Sequence, residues 1–164
     1  MRKRLSAEEA TQKMERYCAY QERCHMEVKN KLASMGIFGH SADEVITKLI
    51  QNDYLNETRF AMQFARGKFR IKKWGTIRIR MELKSRNISN YNIQKALDQI
   101  DPIDYEKAFD QWAHQKWEHL AQTTSNTELM KRKWVRYFQY RGWENELIYK
   151  TVRTLETTTS KNGR

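Results

Sequence analysis

The sequence predicts an all-α protein of three tandem three-helix repeats, about nine helices in an elongated, curved array. Three observations predict it. A chain of 164 residues with one Pro and six Gly lacks the turn residues that an all-β fold needs every few positions. Apolar residues recur at helical spacing: Ile93, Ala96, Leu97 and Ile100 follow i, i+3, i+4, i+7, as do Ile148, Thr151, Val152 and Leu155. The chain also resembles itself at an interval of roughly 50 residues.

That self-similarity is specific. Set beside the segment from Asp53, the segment from Asp101 pairs Leu55 with Ile103, Asn56 with Asp104, and Phe64 with Trp112. Ala65 then meets Ala113, Lys68 meets Lys116 and Phe69 meets Trp117. Asn56 and Asp104 read as helix N-caps, each after an apolar residue. Val28, Ile79 and Trp134 correspond in three copies, followed by Leu32, Leu83 and Phe138, and then by Gly36, Asn87 and Gly142. Gly and Asn tolerate the left-handed turn that ends a helix. Beyond the turn, Val45/Leu49, Ile93/Leu97 and Ile148/Val152 correspond again; the first copy has three extra residues in its loop, between Ile37 and His40.

Taken in order, helices are expected near 6–20, 24–35, 41–52, 56–73, 76–86, 90–100, 104–121, 126–141 and 144–156. Capping boxes Ser6/Glu9, Ser41/Glu44 and Ser125/Glu128 mark three of the starts. Tyr105, Ala108, Phe109, Trp112 and Ala113 form a wide apolar stripe on the seventh. The repeats then span 1–52, 53–100 and 101–156, with a polar, fraying tail over 157–164. Only 39% of the chain is hydrophobic and 31% is charged, so the core is thin and divided, and neighbouring repeats share apolar faces.

The net charge of +11 implies a polyanionic or acidic partner. From Arg66 to Arg86 stand nine cations (Arg66, Lys68, Arg70, Lys72, Lys73, Arg78, Arg80, Lys84, Arg86) against the single acid Glu82. At 100° per residue, Arg59, Arg66, Arg70 and Lys73 fall within about 60° of one another, opposite Phe60, Phe64 and Ala65. Such a line follows a phosphate backbone or an acidic groove. A solvated face kept positive for solubility is the plainer reading, but the arginine content and scarcity of acids argue against it. A second basic cluster is Lys131, Arg132, Lys133 and Arg136.

Catalytic signatures are missing. There is no Gly-rich phosphate loop, no His-Glu-x-x-His and no paired CxxC. Cys18, Cys24 and His25 match no zinc spacing, so the cysteines read as ordinary thiols of a reducing cytosol. His114 and His119 point to different helix faces, and Glu118/His119 reads as a surface pair. A nuclease needs clustered carboxylates, whereas Asp43/Glu44 and Asp101/Asp104 read as caps. The start, Met1-Arg2-Lys3-Arg4-Leu5-Ser6, has no apolar leader, and no stretch is long enough to span a membrane. The chain is therefore expected to be a cytoplasmic binding protein, not an enzyme, with no cofactor, no metal and no membrane contact. Trp112, Trp117 and Trp134 occupy repeat positions and are assigned to the core. Trp74 ends a helix beside the basic run and stays open between a packing plug and a contact residue. Ile77 and Met81, off the core face, are expected to pack between repeats.

The run Tyr54-Leu55-Asn56-Glu57-Thr58-Arg59-Phe60-Ala61, then Arg66, Lys68 and Trp74-Gly75, resembles the signature of the RecX family. It continues through Arg78-Ile79-Arg80-Met81-Glu82-Leu83 and Arg86-Asn87-Ile88-Ser89. Glu27-Val28-Lys29-Asn30-Lys31-Leu32, upstream, and Tyr137-Phe138 with Arg141-Gly142-Trp143, downstream, resemble the flanking repeats. Cys24 and Asn87 depart from the family's usual Ser-type cap and Gly, both tolerably. The resemblance implies a bacterial cytoplasmic regulator of the RecA recombinase, a monomer acting on the RecA–DNA filament. It would bind there through Arg59, the nine cations from Arg66 to Arg86, and Trp74, and mainly inhibit ATP hydrolysis, strand exchange and coprotease activity. The alternative is a general DNA-binding protein, taking single- or double-stranded DNA, that acts by competing for DNA.

Overall fold

The computed structural model describes residues 5–162, so Met1–Arg4 and the last two residues of the expected tail lie outside it. Among the described residues there are nine helices and no strand. They are α1 (Ala7–Tyr20), α2 (His25–Ser34), α3 (Gly39–Gln51), α4 (Glu57–Lys72), α5 (Thr76–Ser85), α6 (Asn90–Asp98), α7 (Pro102–Thr123), α8 (Thr127–Tyr140) and α9 (Asn145–Asn162).

The repeat is visible in the backbone. Gly36, Asn87 and Gly142 have φ of 78°, 59° and 79°, ending α2, α5 and α8 in the left-handed region. The next residue in each case reaches back to the same point of the helix: Ile37 N to Leu32 O, Ile88 N to Leu83 O and Trp143 N to Phe138 O. These bonds satisfy carbonyls that a helix end otherwise leaves open.

Several starts differ from expectation. Ser6/Glu9 does form a reciprocal capping box. Ser41 and Glu44 instead lie inside α3, which begins at Gly39; Gly39 takes φ of 56° within the extra loop residues, and Glu44 pairs with His40 at 3.3 Å. At α8 the cap is Asn126, which accepts from Leu129 N, not Ser125. At α7 it is Asp101, whose Oδ1 accepts from Ile103 N and Asp104 N, because Pro102 is preset for the first helical turn. Ile103 is therefore 64% exposed, while its supposed counterpart Leu55 is 2% exposed. At α2 the Cys24 N–H donates to Glu27 Oε2 at 2.9 Å. The tail also differs: α9 runs on to Asn162, with Trp117 Nε1 donating to Thr159 Oγ1 at 3.1 Å and holding the added turn.

The chain forms two compact units that cut across the sequence repeats. One holds the described residues through Phe64 together with Leu83–Ala96; the other holds Ala65–Glu82 and the described residues from Leu97 onward. In the first, Ala10, Met14, Cys18, Val28, Leu32, Val45 and Leu49 form a continuous core with Leu55 over it. Cys18 and Cys24 are free thiols, both buried, and desolvation pushes Cys18 up to about 11.

The second unit is held by aromatic rings. Trp134, Phe138, Phe109 and Trp143 are each at most 1% exposed. Phe109 lies 5.0 Å from Phe138 and 4.8 Å from Trp143, and Trp134 lies 4.7 Å from Phe138. Such pairs add about 0.5–1.5 kcal/mol each beyond area burial. Trp134 Nε1 donates to Ala113 O at 3.0 Å, so its one polar atom is satisfied. Trp117 is likewise buried, as its repeat position predicts; Trp112 is half-buried.

Candidate nucleic-acid interface

Within the second unit, the α4–α5 turn is built against the α8–α9 turn. Lys73 closes α4 at φ of 57°, and Trp74 N reaches back to Lys68 O at 3.1 Å. Gly75 N then donates to Arg141 O at 2.8 Å and Ile77 N to Gly142 O at 3.1 Å. A side chain on Gly75 would overlap the Gly142 carbonyl, so the two glycines permit this approach. Arg141 donates to the Lys72 carbonyl and Trp143 Nε1 to the Lys73 carbonyl, satisfying the end of α4.

A polar triad completes the joint. Tyr105 Oη donates to Glu144 Oε2 at 2.8 Å and accepts from Thr76 N at 3.0 Å, while Thr76 Oγ1 donates to Glu144 Oε1. Desolvation, and then the Glu144 charge, hold the Tyr105 hydroxyl well above the usual phenol range, so it stays a donor.

This joint sets the cations in place. Arg78 lies between two rings, 4.1 Å from Trp74 and 4.6 Å from Tyr140, and its Nη1 donates to Tyr140 O at 3.1 Å. Lys68 Nζ sits 4.9 Å from Trp74, and Lys73 Nζ 5.6 Å from Trp112. Trp74 is half-buried, a ring with Lys68 and Arg78 on it. Lys72 and Arg70 are exposed, and Arg80 is half-buried. Ile77 and Met81 do not pack as expected; they are 45% and 65% exposed, and Ile71 is 77% exposed.

The same joint brings in residues from the last repeat that charge counting missed. Lys116 Nζ lies 4.3 Å and Arg141 Cζ 4.4 Å from the Tyr137 ring. Tyr140 is 74% exposed. Of the second basic cluster, Lys133 and Arg136 share the α8 face of Tyr137 and Tyr140, within about 100° of arc. Lys131 turns to the other side and pairs with Glu156 at 3.0 Å, which holds its ammonium above the usual range; Arg132 is exposed. The spacing Lys133–Arg136–Tyr137–Tyr140 was the sequence signal for this face.

The remaining candidates have other surroundings. Arg66 donates to Gln99 Oε1 at 2.9 Å and, with Arg70 and Lys107, lines a depression of about 370 Å³ that also holds Asp101 and Asp104. In the first unit, Arg86 lies 4.8 Å from the Phe64 ring and Lys84 is exposed. Arg59 donates to Glu22 Oε1, meets Asp53 Oδ2 at 3.0 Å and holds the Asp53 carbonyl at 2.8 Å. Partial burial opposes its charge, but Glu22 and Asp53 outweigh that and raise its pKa. Arg59 thus ties down the left-handed turn at Asp53.

Residues 56–97, the segment carrying most of these cations, match the RecX second three-helix domain. A regulatory protein RecX from Lactobacillus johnsonii is 30% identical over 131 residues, 80% of this chain and 48% of that protein. One from Pseudomonas savastanoi pv. phaseolicola is 25% identical over 79% of this chain and 81% of its own length. Across four-fifths of its length the chain is similar to RecX proteins. A crystal structure of RecX from Lactobacillus salivarius superposes with a TM-score of 0.76 over 92% of this chain and 97% of that one, at 20% identity, sharing the RecX fold. The chain spans about half the length of the Lactobacillus RecX relatives it matches. No helix among the described residues is long and apolar enough to cross a membrane.

Proposed function

We propose that this chain regulates a RecA recombinase by binding the RecA–DNA filament, hindering its growth or favouring its disassembly. Nine cations against one acid between Arg66 and Arg86, in a chain similar to RecX proteins, carry this reading. Exposed Arg66, Arg70 and Lys72 meet acidic filament surface or phosphate, and Lys68, Arg78 and Lys73 are held in fixed geometry on the Trp74 and Trp112 rings. Arg59 leaves the contact set, since two carboxylates already hold it. The protein acts as a cytoplasmic monomer, by binding alone, with no cofactor and no bond made or broken. ATP hydrolysis, strand exchange and coprotease activity of RecA all fall.

The test is the ATPase rate of the cognate RecA on excess single-stranded DNA. Inhibition well below one copy per RecA supports action on the filament. Changing Arg66, Arg70, Lys73 and Arg80 together to Glu abolishes inhibition and leaves the helical circular dichroism intact; full inhibition by that variant refutes the contact surface. The second reading, general DNA binding by competition, is favoured by the aromatic rings among the cations. It predicts inhibition only when the protein coats the DNA, with a steep salt dependence.

A further inference from the structure

We propose that the last repeat carries a seat for single-stranded polynucleotide, with a phosphate between Lys116 and Arg141 and a base stacked on Tyr140. It deepens the function proposed above and rests on its nucleic-acid contact.

Two cations converge on one ring here. Lys116 Nζ and Arg141 Cζ lie 4.3 Å and 4.4 Å from the Tyr137 centroid, and among the described residues neither is paired with a carboxylate. Desolvation, and then Arg141, lower the Lys116 pKa, so the pair strains against its own charge. A phosphate between them removes that repulsion. Arg141 uses one N–H on the Lys72 carbonyl, leaving other donors of its planar fork for phosphate oxygens.

One turn along α8, Tyr140 stands 74% exposed. It is not a loose side chain over solvent: Arg78 backs its ring at 4.6 Å, is itself backed by Trp74 at 4.1 Å, and is fixed to the Tyr140 carbonyl. A base laid on the ring's open face extends a ladder already stacked. An unpaired base has that face available, a base within a duplex does not, and an acidic peptide has no use for it.

The test uses the full chain and a short fluorescent oligo(dT), titrated by anisotropy over a range of salt. Tyr140→Ala weakens binding about fivefold or more with the salt slope kept, and Tyr140→Phe retains it. Lys116→Gln reduces the slope by about 0.7, one phosphate's worth on a single strand. Parent-like binding by Tyr140→Ala overturns the proposal. So does an abasic oligomer that binds as well as oligo(dT), or polyglutamate that displaces it at equal charge, which would make this an acidic-protein surface. RecA ATPase inhibition is read in parallel. Its loss with these signatures intact strikes the filament reading alone, and its survival without them strikes this one.

Discussion

Replacing Arg59 with Ala separates a structural arginine from a contact arginine. The side chain is 33% exposed, Glu22 is 18% exposed and Asp53 74% exposed. The Asp53 pair is screened by water and contributes about 0.5 kcal/mol. The Glu22 bond is different, because a hydrogen bond between charged groups is worth about 1.5–3 kcal/mol. Glu22 Oε2 is moreover buried without a hydrogen-bond partner, so removing Arg59 takes away the carboxylate's neutralising charge. Discounting for partial exposure, the loss is about 2 kcal/mol, or about 4–8 °C in Tm for a chain of this size. Thermal and urea unfolding followed by circular dichroism measure it, and the cycle with Glu22→Gln isolates the pair. RecA inhibition at a temperature where the variant is folded stays at the parent level. A variant as stable as the parent that no longer inhibits would refute the reasoning and return Arg59 to the contact surface.

Gly36→Ala and Gly142→Ala share the same backbone cost, with φ of 78° and 79°, but not the same surroundings. The first meets open space and loses about 1 kcal/mol, whereas the second overlaps the Arg78 backbone and loses about 2–4 kcal/mol, read as the difference in urea midpoints at constant m. Burial raises Cys18 from 9.0 to about 11, so between those values the unfolded chain releases a proton that the folded chain keeps. Stability is therefore unaffected below pH 9 and falls as pH rises from 9 to 11, by up to about 2–3 kcal/mol. Urea unfolding of the parent against Cys18→Ala across that range checks it, the variant losing that much less.

Most of the helical framework was legible because it is carried by short-range chemistry. Gly36, Asn87 and Gly142 end helices for a local reason, and the apolar positions around Ile79 and Trp134 repeat at helical spacing. The starts of α7 and α8 are misread from sequence because two polar residues compete for each cap, and that of α3 because Gly39 opens the helix two residues before Ser41. Pro102 lets Asp101 win over Asp104, and Asn126 wins over Ser125 one residue away. The site was legible as charge but not as geometry. Counting cations cannot tell that Arg59 is consumed by Glu22, a residue 37 positions away, or that Tyr140 lies against Arg78, 62 positions away. Both follow from packing between helices distant in sequence, which periodicity does not encode.

The meeting of the α4–α5 and α8–α9 turns has a consequence for how the chain is made. Trp143 covers the Lys73 carbonyl from 70 residues downstream. At synthesis rates of about 5–20 residues per second, the end of α4 waits about 4–14 s for the group that satisfies it. Through that interval Arg78 has the Trp74 ring on one side but not yet Tyr140 on the other. A stop codon near residue 100 would release the middle repeat whole in sequence yet lacking the partners of Ala65–Glu82, so dissection at the repeat boundaries yields fragments that are not folding units.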